Sequence, residues 1–187
     1  MDNTSDIMRQ SAQLDWHAIA AQLEREGYAV LAHGGACDPR VLYAGLLPIA
    51  ARWCDAMRQA AAFVPASDVV VRSAGSTLAP GHFQPLVQDV SAHAFPFMLI
   101  AVLGESGVDF TGGELIMTEQ RPRMQSRPIV VPLQMNDLAI LCTGRRPVQG
   151  GRGIYTVSMR HAVGRVRTGL RIGQEWTFDQ PAGGADA

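Results

Sequence analysis

His161 and Arg171 stand ten positions apart in MRHAVGRVRTGLRIGQEWTF, with Gly169 at the break between two β-like segments. Two antiparallel strands joined there aim an imidazole and a guanidinium into one cavity. A neutral imidazole ligates first-row divalent metals, and a guanidinium forks onto a carboxylate through paired N–H donors. Arg165 and Arg167 lie between them. Together the three arginines would focus an anion into a cleft; the alternative is a strand on which Arg171 alone points inward.

The remaining polar residues carry less. His17 falls on a helix and His33 in the turn HGG, both with structural or solvent-facing roles. Arg121, Arg123 and Arg127 occupy a loop-like segment and read as solvated surface. Gly112 and Gly113 permit a tight turn into a strand and are no phosphate loop, because no helix follows. Cys37, Cys54 and Cys142 are odd in number, widely spaced and free of any CxxC pair, which points to reduced, buried thiols.

The elements that must position these groups change character along the chain. Asp15 opens DWHAIAAQLEREGYAVL as a helix cap, Trp16, Ile19 and Leu23 make an apolar face, and Gly27 stops the helix before a short strand over Tyr28 to Leu31. A second helical stretch runs through VLYAGLLPIAARWCDAMRQAAA, where Pro48 should start, kink or divide it. Trp53 and Met57, four apart, suit packing of that helix on a sheet. From Val69 onward come eight strand candidates: VVVRS, FQPLVQDV, FPFMLIAVL, GELIMTEQ, PIVVPL, DLAILC, IYTVSMRHAV and LRIGQEWTF. Their short spacing predicts an antiparallel sandwich or barrel, with Phe95, Phe97, Trp176 and Phe178 in the core. The expected organisation is a single domain over 1–187, with a helical part at 1–66, a jelly-roll core at 67–179 and a flexible tail at 180–187.

With 187 residues, 47% hydrophobic and 18% charged, the chain has ample material for one core. A formal net charge of -1 lacks the basic excess that neutralises phosphates, so nucleic acid is not an expected partner. The polar start MDNTSDIMRQSAQLDW has no signal-peptide core, and no apolar run reaches the 18 or so residues of a membrane span; a cytoplasmic protein without membrane contact is expected.

From about Thr77 to Phe178, and especially along DFTGGELIMTEQRPRMQSRPIVVPL and RRPVQGGRG, the chain resembles a bacterial prolyl-hydroxylase-like group of Fe(II)/2-oxoglutarate oxygenases. The resemblance implies a mainly β protein with N-terminal helices, built as a double-stranded β-helix of jelly-roll or cupin type. It implies that His161 is the distal metal histidine and that Arg171 holds the 2-oxoglutarate carboxylate. In that family an H-x-D motif supplies the other two ligands. Here the matching segment is LAPGHFQPLVQDV: Asp89 keeps the carboxylate position and Val87 stands where the first histidine should be. Leu78 takes the place of a tyrosine that bonds the co-substrate. Valine has no lone pair, so the implied metal set shrinks to Asp89 and His161, with His82 or His93 as candidate third ligands. His82, seven residues before Asp89, has the wrong strand parity unless Pro85 bends the chain; His93, four after, has the right parity but lies near the strand end.

Three functions follow. The first is a non-haem metal-dependent oxygenase or oxidase, using Fe(II) or another divalent first-row metal with 2-oxoglutarate, that hydroxylates or oxidatively demethylates a small molecule. The second is a 2-oxoglutarate-independent enzyme with an altered site for a non-iron metal. The third is a non-catalytic pseudoenzyme that binds a ligand in the jelly-roll cavity. The N-terminal region is shorter than in the resembling group, which would open the site to larger substrates or leave an edge for a homodimer.

Overall fold

A computed structural model of the chain describes residues 14–34, 37–59, 63–88 and 95–180. The Asp15 carboxylate accepts from Ala18 N at 2.9 Å and starts helix α1, Trp16–Glu26. Gly27, at φ 80°, ends it in the left-handed conformation that glycine adopts without a Cβ clash. Strand β1, Tyr28–Leu31, follows directly. Helix α2, Pro39–Ala56, is capped by Asp38 with Pro39 in its first turn. It runs unbroken through Pro48, which therefore neither starts nor divides the helix. Burial explains the tolerance, since Val41, Leu42, Tyr43 and Leu46 before the proline and Ile49, Ala50 and Trp53 after it are all in the core.

Eleven more strands follow: β2 Val70–Leu78, β3 Gln84–Val87, β4 Phe97–Val102, β5 Phe110–Gly112, β6 Leu115–Gln120, β7 Arg127–Val131, β8 Leu138–Cys142, β9 Arg145–Gly150, β10 Gly153–Val163, β11 Val166–Gly169 and β12 Arg171–Asp179. The major sheet has the order β1-β8-β4-β12-β2 and the minor sheet β3-β10-β6-β7, with β9 pairing β10 and a separate β11-β5 ribbon. Every pairing between these strands is antiparallel. Successive strands pass back and forth between the two sheets, which makes a double-stranded β-helix.

The burial pattern says how the sheets stack. In β6, Leu115, Met117 and Glu119 are buried and their neighbours are not, as expected for a strand covered on one side. In β4 and β8 every residue is buried, because the minor sheet covers one face and the helices the other. Trp53 of α2 meets Phe97 edge-on at 4.8 Å, and Tyr43 meets Phe95 and Phe178 at 4.6 and 5.1 Å. Phe95, Phe97 and Phe178 are thus core as expected, whereas Trp176 is half-buried. Cys54 and Cys142 are buried free thiols and Cys37 is half-buried; full burial pushes the Cys142 thiol up to about 12. Of the tail expected from residue 180, Gln180 is anchored: its side-chain oxygen accepts from Val64 N at 2.9 Å. Residues 181–187 lie outside the described ones. Among the described residues no helix is long and apolar enough to cross a membrane.

Candidate metal and carboxylate site

Register places the first group. On β10, His161 pairs with Met117 of β6 on one side and with Val87 of β3 on the other. Residues directly opposite in an antiparallel pair share a face of the sheet. Met117 is fully buried, so His161 and Val87 also face the space between the sheets. Val87 lies at its open margin, 46% exposed, since β3 is the edge of the minor sheet. His161 Nδ1 is buried and, among the described residues, has no hydrogen-bond partner. Burial lowers the His161 pKa and holds the ring neutral, which is the form that offers a lone pair to a metal.

Arg171 opens β12 on the facing sheet, opposite Leu78 of β2. Only 2% of it is exposed. Its Nε donates to Gly113 O at 2.8 Å, which fixes the direction of the guanidinium. Gly112 and Gly113 both have positive φ, 71° and 67°, and a Cβ on Gly113 would come within 2.8 Å of Arg171 Cδ. The turn glycines seen in the sequence therefore also make room for the arginine. Burial pulls the Arg171 pKa down, and Glu175, four positions on and on the same face of β12, acts against that shift. Arg171 lines a small cavity of about 60 Å³ with Val102, Phe110, Leu115, Leu133 and Glu114.

Sequence reading missed a third polar atom here. Ser76 of β2 lies opposite Gly173 of β12, and its hydroxyl is buried without a partner among the described residues. A Cβ on Gly173 would be 2.8 Å from Arg171 Nη1 and 2.9 Å from Ser76 Oγ. The missing side chain at 173 leaves both donors looking into one space. Leu78, next to Arg171, contributes only apolar surface. A serine in RSAGSTL carries no signal of this role, because the partner that defines it is nearly 100 residues away.

A buried ion pair was also not legible. Glu119, inward on β6, accepts from Arg146 of β9, and both are almost fully buried. Arg121 adds a second contact at 2.6 Å, and Arg146 reaches the carbonyl of Glu24 at the end of α1. Glu119 feels desolvation, which alone would raise its pKa, but the hydrogen bond from Arg121 and the charges of Arg146 and Arg121 hold it below the ordinary value.

The other expected residues fall elsewhere. Asp89 and His93 lie outside the described residues. His82 is exposed in the turn after β2, where its carbonyl accepts from Val166 N at 2.9 Å, beyond the end of β10 from His161. Arg165 and Arg167 are exposed, so of the three clustered arginines only Arg171 is inward. Among the described residues no three His, Cys, Asp or Glu side chains are grouped to hold a metal. Those residues supply one imidazole and one anchored guanidinium, which suit a metal ligand and a carboxylate clamp. They do not compose a complete centre of two histidines and one carboxylate.

An inward histidine on one sheet and a buried arginine on the facing sheet of a double-stranded β-helix define a class of non-haem oxygenase-type proteins. Residues 39–180 match the family described as "Oxygenase, catalysing oxidative methylation of damaged DNA", and the chain belongs to that family. Two uncharacterized proteins of Mycobacterium tuberculosis, from strains CDC 1551 and H37Rv, are each 30% identical to it over 155 residues, 76% of this chain. The chain spans 66% of the length of those relatives. Among solved structures, a 2OG-Fe(II) oxygenase family oxidoreductase from Burkholderia pseudomallei is similar, with a TM-score of 0.53, 16% identity and coverage of 91% of this chain and 93% of that one. A structure from work on prolyl 4-hydroxylases of Phytophthora capsici covers 100% of this chain and 69% of that one, with a TM-score of 0.56 and 16% identity. Likeness at that identity concerns the fold.

Proposed function

We propose that this chain is a metal-dependent oxidoreductase of the Fe(II)/2-oxoglutarate type, in which Asp89 and His161 hold a divalent first-row metal and Arg171 receives the distal carboxylate of 2-oxoglutarate. The observation that carries this reading is the buried, unpartnered nitrogen of a neutral His161 facing the same interior as the Gly113-anchored Arg171. When bound, the metal and co-substrate would supply dioxygen activation. The chain's own part is to keep the imidazole neutral, fix the guanidinium and exclude water with Val102, Phe110 and Leu115. The reacting group is of small-molecule size, hydroxylated or oxidatively demethylated, either free or, as the family description suggests, as a base of damaged DNA.

A second reading drops 2-oxoglutarate and assigns a non-iron metal, and the pairings of Val87 with His161 and of Leu78 with Arg171 favour it. Each puts an apolar side chain where a polar one would complete the site. Titration with Fe(II), Co(II), Ni(II), Mn(II) and Zn(II), each followed by a succinate-release assay with 2-oxoglutarate, separates the two. The first reading expects Fe(II) binding and succinate; a tightly held non-iron metal with no succinate would replace it by the second. No metal binding at all would overturn both.

A further inference from the structure

β2 is the last strand of the major sheet, so half of its backbone polar groups face away from β12. Register says which. Leu103 N, just past β4, donates to Ile172 O at 2.9 Å, so Ile172 and every second residue after it on β12 turn their backbone groups toward β4. Arg171, Gly173, Glu175, Thr177 and Asp179 turn theirs the other way, to Leu78, Ser76, Ala74, Arg72 and Val70 of β2. The N–H and C=O groups of Val71, Ser73, Gly75 and Thr77 are left on the free edge, and none of them bonds another group among the described residues.

The other sheet ends are blunted in the ways that keep edges from pairing with further strands: shortness, proline, charge or a bulge. β1 has four residues. β3 also has four, with Pro85 inside it and a register shift against β10. β7 has five, with Arg127 and Pro128 at its start, and β9 carries Arg145, Arg146 and Pro147. β2 has none of these devices. It runs for nine residues in unbroken register with β12, without proline, and its one charged residue, Arg72, is already ion-paired with Asp179. Ser73, Ala74 and Gly75 at its centre are small and exposed, so nothing bulky screens the edge.

We infer that β2 pairs antiparallel with β2 of a second copy of this chain, about a two-fold axis through Ala74, so that two major sheets become one. In that register Val71 bonds Thr77 of the partner subunit and Ser73 bonds Gly75 of the partner subunit, and the symmetric pairs do the same, which satisfies all four free-edge N–H and all four C=O groups of each copy. A shift of two residues would leave Thr77 unpaired in both. The side chains agree with the same register. Val71 meets a threonine, Val70 meets Leu78, Ala74 meets itself, and Arg72 lies across from Ser76, so no like charges are opposed. A foreign peptide fits less well, because strand addition takes its specificity from side-chain pockets and the Ser73-Ala74-Gly75 centre offers none. Pairing also sets Arg72 of the partner subunit beside Ser76, at the margin of the space that Ser76 shares with Arg171. That consequence rests on the carboxylate role proposed above; the interface does not, and either can fail while the other stands.

The test is sedimentation equilibrium of the full chain without metal or co-substrate. One strand pair is a small interface, so a reversible dimer is expected to form between about 10 and 200 µM chain. Ser73→Pro removes a free-edge N–H from each copy without touching the ladder to β12, which is where a strand tolerates proline. Losing those two hydrogen bonds should weaken association by about tenfold or more. Cross-linking tests the register independently of that variant. Ala74 faces itself in a non-hydrogen-bonded pair with Cα atoms about 4.5 Å apart, within disulfide range, so Ala74→Cys should give a covalent dimer on mild oxidation. Val70→Cys, exposed at the far end of the strand, should not, since its counterpart lies eight residues away along the ladder. A chain that stays monomeric at about 200 µM would overturn the inference. So would unchanged association in a Ser73→Pro protein with a parental circular dichroism melt, or equal cross-linking by the two cysteine variants.

Discussion

Val87 lies directly across the β-ladder from His161, on the same inward face and at the open margin of the barrel. Valine cannot ligate, so a metal bound by His161 has lost a neighbour on the adjacent strand, where an imidazole would be well placed. Val87→His is therefore expected to raise affinity for Co(II) or Fe(II) by about tenfold or more, given that even outer-shell partners of metal ligands change affinity by about 10–100-fold. Isothermal titration with Co(II), read beside the visible d–d bands, measures this. Equal affinity in the variant and the parent would mean that the His161 face is not a metal site.

The Arg171–Gly173–Ser76 arrangement predicts a graded loss of carboxylate binding. Arg171→Met should remove measurable 2-oxoglutarate binding, since the guanidinium supplies the charge. Ser76→Ala removes one hydrogen bond to a charged ligand, about 1.5–3 kcal/mol, or roughly tenfold or more in affinity. Gly173→Ala places a methyl within 2.8 Å of Arg171 Nη1 and should weaken binding with little change in stability. Calorimetric titration of 2-oxoglutarate into each variant reports the series, and a Ser76→Ala protein with parental affinity would remove the hydroxyl from the site.

The Glu119–Arg146 pair makes a different kind of prediction. Removing Arg146 leaves the buried Glu119 carboxylate with the partly exposed Arg121 as its ion-pair partner, so Arg146→Met should destabilise the chain by about 3 kcal/mol, the lower end for a broken buried pair. Replacing both with Met should restore much of that loss, because a buried pair exchanged for packed apolar side chains is often neutral. Urea unfolding of the two singles and the double completes the cycle. Additive losses would mean that the pair contributes no coupling.

Which parts of this were legible follows from the range of the signals. Helix α1 is written locally: Asp15 caps it and Gly27 ends it, and both act within one turn. The long strands announce themselves through apolar or alternating residues, but the expectation that two strands joined at Gly169 carry His161 and Arg171 fails: His161 is on β10 of the minor sheet, Arg171 on β12 of the major sheet, and β11 lies between them. The short strands β5, β9 and β11 do not announce themselves, since RRPVQG has neither alternation nor β-branched density and is a strand only because β10 offers it a ladder. Pro48 misleads for the converse reason: helix α2 is held by tertiary burial that local rules ignore. Ser76 with Gly173, and Glu119 with Arg146, are pairs of unremarkable residues whose meaning lies in register between distant strands.

His161 gives stability a pH dependence of definite sign. Burial lowers its pKa in the folded chain below the ordinary value near 6.5, so in weakly acidic solution the unfolded chain binds a proton that the folded one does not. Stability from this group is complete above about pH 6.5 and declines as the pH falls toward the folded pKa. His161→Gln, which cannot take up a proton, should flatten the profile below about pH 6.5. Urea midpoints of the two proteins at half-unit pH steps test it in the metal-free protein. Added Co(II) should raise the midpoint of the parent more at pH 7 than at pH 5.5, because metal and proton compete for one imidazole. A profile for His161→Gln that still slopes like the parent's would place the titrating group elsewhere.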